Sequence, residues 1–141
     1  MMGKPTAKDV VRAAIQAFSE QDRDRFADLH ADDIVVHGPT GDVHGVEAVT
    51  EEEFAIFEAF SDLTWTLDSM IAEESLVAVR LTGTATHDGN LGDLAPTGER
   101  VSFASYGMFR VEGGQVAEVW ILPDRLGLRQ QLGTTQDPTA R

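Results

Sequence analysis

His37 and His87 are the side chains of this chain best placed for proton transfer near neutral pH, because an unperturbed imidazole titrates near 6.5. His37 ends a short β-like run, Asp32 to His37, beside a Gly38-Pro39 loop. His87 closes a threonine-rich run in which Val77, Val79, Leu81, Gly83, Ala85 and His87 alternate with Ala78, Arg80, Thr82, Thr84 and Thr86. It therefore shares the more apolar face and is placed to point inward. Each histidine also suits a plainer role, capping a strand end and bonding a loop carbonyl. Tyr106, in mid-strand, can donate to an oxyanion or pack beside Ala104 and Met108 in a core or dimer contact. Trp65 and Trp120 can line an aromatic pocket or pack a half-buried sheet. Arg80 and Arg110 can hold an anionic substrate or form interface ion pairs. The spacing of His30, His37, His44 and His87 matches no helical His pair or short-loop ligand set, so no metal site is expected. Gly-x-Ser-x-Gly, His-Glu-x-x-His, P-loop and Gly-x-Gly-x-x-Gly motifs are absent.

The elements that must position these groups follow from periodicity. Thr6 to Ser19 reads as a helix, with Thr6 as N-cap, Asp9 three residues on, and Val10, Val11, Ala14, Ile15 and Phe18 as an apolar stripe. Residues 21–30 read as a second short helix, and Val46 to Phe60 as a third. That third helix buries Val49, Phe54, Phe57 and Phe60 and turns Glu51-Glu52-Glu53 mostly outward. From Asp62 the period changes to two. Strands over 62–71 and 76–87 are followed by a Gly-, Asp- and Pro-rich loop over 88–98. A long strand from Val101, a Gly113-Gly114 turn and a second strand through Trp120 form a terminal hairpin, since both glycines can take the positive φ of a tight turn. Asp124 is placed to cap a short helix, Arg125 to Leu132, with Gly133 as its stop. Helices gathered at one end and strands at the other define an α+β chain. One domain over residues 1–133 and a flexible tail over 134–141 are expected.

Composition narrows the function classes. The chain has 141 residues, 42% of them hydrophobic, and no cysteine, so one globular domain without disulfide or thiol chemistry is expected. The formal net charge of −13 argues against nucleic acid as a partner. It fits either a salt-adapted host or an ordinary protein kept soluble by charge. No apolar run approaches the ~20 residues of a membrane span, and the N-terminus lacks a signal-peptide core. No membrane partner and a cytoplasmic location are the resulting expectations.

Several stretches together resemble the SnoaL-like polyketide cyclase family of the NTF2-like superfamily. They are Val79 to Gly89, Ala95-Pro-Thr-Gly-Glu-Arg-Val101, Phe109 to Trp120, and the closing Leu126-Gly-Leu-Arg-Gln-Gln-Leu-Gly133. Asp33-Ile-Val-Val-His37-Gly-Pro and Gly45-Val-Glu-Ala extend the likeness over most of the chain. The resemblance implies a cone: a strongly curved antiparallel sheet packed against three N-terminal helices, with a short C-terminal helix. It also implies a homodimer, usually sheet against sheet, and cofactor-free aldol or enolate chemistry on a small apolar carbonyl compound held in an internal cavity. Such chemistry needs a base aimed at an acidic carbon and a donor aimed at the developing oxyanion. The family often carries His-Trp-Asp on the strand before the last helix; aligned on Trp120, the two acid–base positions here are Val119 and Ile121. Neither moves a proton. The polar candidates that remain are His37, His87 and Asp124, the last standing either as the family's acid or as a helix cap. Trp65, Tyr106, Val119, Trp120 and Ile121 are the expected substrate contacts. A non-catalytic small-molecule binding domain of the same fold is the alternative. A hydrolase using paired carboxylates ranks below both, because no inward carboxylate pair is visible in the sequence.

Overall fold

A computed structural model describes residues 3–134. The expected tail, apart from Thr134, lies outside the described residues. Helix α1 (Ala7–Ser19) starts from a capping box in which the Asp9 amide donates to Thr6 Oγ1 at 3.1 Å and the Thr6 amide to Asp9 Oδ2 at 3.0 Å. Its stripe of Val10, Val11, Ala14, Ala17 and Phe18 is buried. Helix α2 (Arg23–Asp28) is shorter than the 21–30 segment suggested, and His30 already opens strand β1 (His30–Gly38). Strand β2 (Gly41–His44) leads into α3 (Val46–Phe54), where the expected single helix to residue 60 tightens into a 3₁₀ turn over Ala55–Glu58. The change of pitch lets Ala59 and Phe60 both enter the core. Phe18, Phe26, Phe54 and Phe57 form a ring cluster with centroids 4.8–6.1 Å apart, which ties α1, α2 and α3 together.

The rest of the chain is β3 (Thr64–Glu73), β4 (Leu76–Thr86), β5 (Arg100–Glu112), β6 (Gln115–Pro123) and α4 (Arg125–Gln131). The six strands form one curved sheet in the order β2-β1-β6-β5-β4-β3. Gly113 and Gly114, at φ +60° and +78°, make the two-residue turn that forces β5 and β6 antiparallel. β1 and β6 are far apart in sequence, no hairpin fixes their relative direction, and they pair in parallel, so the sheet is mixed and not wholly antiparallel. Register shifts at His30/Val35, Leu67/Ser69 and Arg110/Val111 interrupt the ladders and help the sheet to bend.

The alternation expected for β4 holds: Val77, Val79, Leu81, Ala85 and, just beyond the strand, His87 are buried. The inner row Val36–Val119–Phe109–Val77 crosses four strands and faces the helices. The outer row His37–Trp120–Met108–Ala78–Ile71 crosses five. Among the described residues no helix is long and apolar enough to cross a membrane.

Candidate active site

Between the inner face of the sheet and the helices lies a cavity of about 90 Å³. Val36, Leu81, Phe109, Val119 and Ile121 form its sheet side; Ala14, Ile15, Phe18, Phe26 and Val49 form its helix side. Trp65 closes one flank. Two ionisable side chains reach this mostly apolar wall, His30 and Glu53. Through Phe18, Glu53 and Trp65 the cavity adjoins an outer basin of about 590 Å³, bounded by the 3₁₀ turn, the 88–98 loop and α4.

His30 is 3% exposed and stacks on Phe26, ring centroids 4.1 Å apart. Its Nδ1 lies 2.6 Å from the Phe26 carbonyl oxygen. A carbonyl only accepts, so Nδ1 carries the proton and donates, and Nε2 holds a lone pair. Burial lowers the pKa of this imidazole, and the Phe26 contact offsets that only in part. His30 is therefore a neutral ring of fixed tautomer at neutral pH. Glu53 is the reverse case. It keeps some accessible surface as a residue, yet burial of its carboxyl, helped by the neighbouring charge of Glu52, pushes its pKa up to about 7. One wall group is thus a base without charge, the other an acid that still holds its proton near neutrality. Environments that push two titrating groups in opposite directions are how enzymes separate acid from base.

The residues singled out from the sequence are distributed differently. His37 is not in the cavity. It lies on the outer face, stacked on Trp120 at 5.4 Å, with Nδ1 2.8 Å from Asp42 Oδ1 and Nε2 2.7 Å from Glu118 Oε2. With a carboxylate on each nitrogen both must donate, which makes the ring an imidazolium; the bond to Glu118, then that to Asp42, raises its pKa. His87 points inward as its alternation requires but touches neither the cavity nor the basin. It is fully buried against Phe60, and its Nδ1 accepts from the Thr97 amide at 3.1 Å, so it ties the 88–98 loop to β4. Asp124 caps α4, accepting from the Gly127 amide at 2.9 Å, and edges the outer basin. Tyr106 and Trp120 belong to the outer face, whereas Trp65, Val119 and Ile121 line the cavity.

The sequence pattern hides His30 and Glu53 for two reasons. A helix over 21–30 puts His30 at a helix end, whereas α2 stops at Asp28 and His30 opens β1. Glu53 stands in the acidic run Glu51-Glu52-Glu53, although Val49, Glu53 and Phe57 follow each other at i, i+4 and i+8. A carboxylate on an apolar stripe was the available signal. Among the described residues no group of three or more His, Cys, Asp or Glu side chains is arranged to hold a metal ion.

A curved sheet closed by helices around an apolar hollow is the architecture of NTF2-like proteins. A sequence model of the SnoaL-like polyketide cyclase family matches residues 8–132, and the chain belongs to that family. Among solved structures it is similar to AclR from Streptomyces galilaeus, at 30% identity and TM-score 0.81, over 90% of this chain and 95% of that one. It is also similar to IdmH from Streptomyces antibioticus, at 27% identity and TM-score 0.83, over 91% and 99% of the two chains. A SnoaL-like polyketide cyclase from Agrobacterium tumefaciens shares the fold at TM-score 0.78 and 22% identity, over 91% and 98%. No curated protein matches the chain.

Proposed function

We propose that this protein is a cofactor-independent cyclase or isomerase acting on a small, largely apolar carbonyl compound, with His30 as base and Glu53 as acid. The observation that carries this is the pairing of a neutral imidazole and a protonated carboxyl on one apolar wall. His30 Nε2 takes a proton from the carbon next to the carbonyl. The C–H electron pair becomes the enol double bond, and the carbonyl oxygen receives the Glu53 proton. Attack of that enol carbon on a second carbonyl of the same molecule closes a ring; reprotonation at carbon elsewhere gives an isomer. Either way the protons return and no external reductant or oxidant is consumed. The apolar lining suits the step, because a charge developing in a low-dielectric site responds strongly to a placed donor.

The test is α-hydrogen exchange of simple methyl ketones in D₂O, followed by proton NMR. Glu53→Gln and His30→Ala are each expected to slow exchange by 10²-fold or more, the usual scale of acid–base catalysis. Exchange no faster than buffer in the wild-type protein would defeat the assignment. Val119 and Ile121 occupy the usual proton-transfer positions of β6 and favour a second reading, a binding domain without chemistry. A ligand recovered intact from the cavity, with no exchange, is its signature.

We further propose that a second copy covers the outer sheet face. Ile71, Leu122 and Tyr106 are 72%, 65% and 57% exposed there, with Met108 and Leu76 beside them. That is an unusual concentration of large apolar groups for free solvent, and the homodimer implied by the family supports pairing through it. Sedimentation of Leu122→Asp and Tyr106→Asp is expected to show monomer where the unmodified chain shows dimer.

A further inference from the structure

The inner cavity, at about 90 Å³, is well below the roughly 300–1,000 Å³ typical of small-molecule sites. The outer basin alone, at about 590 Å³, has the size, and its wall is more polar. The two spaces share only Phe18, Glu53 and Trp65. Resting on the acid–base reading above, we propose that the two spaces are the halves of one site for an elongated amphipathic ketone, joined at a neck whose width Trp65 sets. The carbonyl end lies inside beside His30 and Glu53, and a polar tail extends into the basin toward Arg125 and Arg129 of α4, both on the basin wall.

Trp65 is held in place by what lies beneath it. Its ring rests on Gly83 of β4 and meets Phe103 edge-on at 5.3 Å. A Cβ at position 83 would come within 2.8 Å of Trp65 Cζ3 and 3.1 Å of Phe103 Cζ. Even one methyl group there must displace the indole from its seat on the sheet. Gly83 thus acts as a seat, and the bare patch of sheet determines how wide the neck stands.

The experiment uses ω-hydroxy-2-alkanones of four to ten carbons as probes, with calorimetric titration of the whole chain. In the unmodified protein affinity is expected to rise about fourfold per added methylene across the series, the increment for burying a CH₂. Gly83→Ala is expected to weaken the longest members tenfold or more while changing the four-carbon ketone less than threefold. Trp65→Phe, which adds no atom, is expected to admit a bulkier tail and improve an ω-phenyl ketone tenfold. It also tests the neck if the alanine variant does not fold. An affinity plateau at the shortest chains, or equal losses for short and long members in Gly83→Ala, would overturn the two-part site. Calorimetry reads binding alone. Length-dependent binding without α-exchange therefore sinks the acid–base reading and keeps this one; exchange without length dependence does the reverse.

Discussion

Glu53 and His30 are held in opposite states by the same low-dielectric wall, and that sets opposite pH responses. The Glu53 carboxyl is raised from its ordinary 4.5 to about 7. Between these two values the unfolded chain has lost the proton that the folded chain keeps, so the folded state loses stability as pH rises through this window. The shift corresponds to on the order of 2 kcal/mol once its partial exposure is allowed for. His30 is lowered, so its contribution is present above 6.5 and is lost as pH falls through its depressed folded value. His37 is raised; what it contributes is present below 6.5 and fades as pH climbs past its folded value. Glu53→Gln should therefore match the unmodified chain near pH 4.5 and exceed its stability by roughly 2 kcal/mol at pH 8, read from urea unfolding at both values. The same substitution removes the acid. Catalysis should accordingly show a bell-shaped pH profile, with its alkaline limb near 7 set by Glu53 and its acid limb below 6.5 set by His30. An alkaline limb that persists unchanged in Glu53→Gln would assign it to another group.

At the level of elements, what could be read from the chain was whatever repeats. The stripe of α1, its Thr6–Asp9 cap, the alternation of β4 and the Gly113-Gly114 turn are local, and each appears in the fold where periodicity and turn chemistry place it. The parallel β1–β6 pair was not legible, because no local signal sets the direction of strands joined only through the whole domain. The α2–β1 boundary fell between two polar residues with no glycine or proline to mark it, and with that boundary went His30. Glu53 shows a different limit. Its position on the apolar stripe could be read, but that α3 turns this stripe toward a hollow is a tertiary fact. His37 shows a third limit: strand parity says which residues share a face and not which face is inside, and the pairing with Trp120 sets His37 on the outer one. Asp124 gives the element-scale test of cap against acid. Its carboxylate holds the first turn of α4, so Asp124→Ala should cost about 1 kcal/mol, whereas Asp124→Asn, itself a good N-cap, should retain most of the stability. Equal losses in the two variants, measured by thermal unfolding, would show that the capping bond is not what the residue contributes.

For the molecule as a whole the dominant fact is charge. With 24 acidic against 11 basic residues, the chain cannot neutralise itself even though its arginines are widely engaged, as in Arg23–Glu51, Arg100–Asp62 and Arg110–Glu118. These pairs are exposed or half-exposed, and each is worth little. Added salt weakens them slightly and weakens the long-range repulsion much more, since the screening length falls from roughly 30 Å at 0.01 M to about 3 Å at 1 M. Repulsion wins this balance, and salt should stabilise the fold. The effect is larger for a dimer, where two chains of −13 approach face to face. The outer face carries positive charges at Arg80, Arg100, Arg110 and the His37 imidazolium, set among carboxylates that include Asp33, Asp42, Asp62, Asp68, Glu73, Glu112 and Glu118. When His37 loses its proton, each copy of the proposed dimer loses one of those positive charges, and one of the two carboxylates, Asp42 or Glu118, loses its donor while the neutral ring still donates to the other. Association should therefore tighten by tenfold or more between 0.02 and 1 M salt and loosen from pH 6 to pH 9, with the pH effect largest at low salt and reduced in His37→Gln to what the titration of Glu53 leaves. Sedimentation equilibrium over that grid decides the matter. A dissociation constant indifferent to both salt and pH would mean that the apolar groups of this face act alone, or that the second copy sits elsewhere.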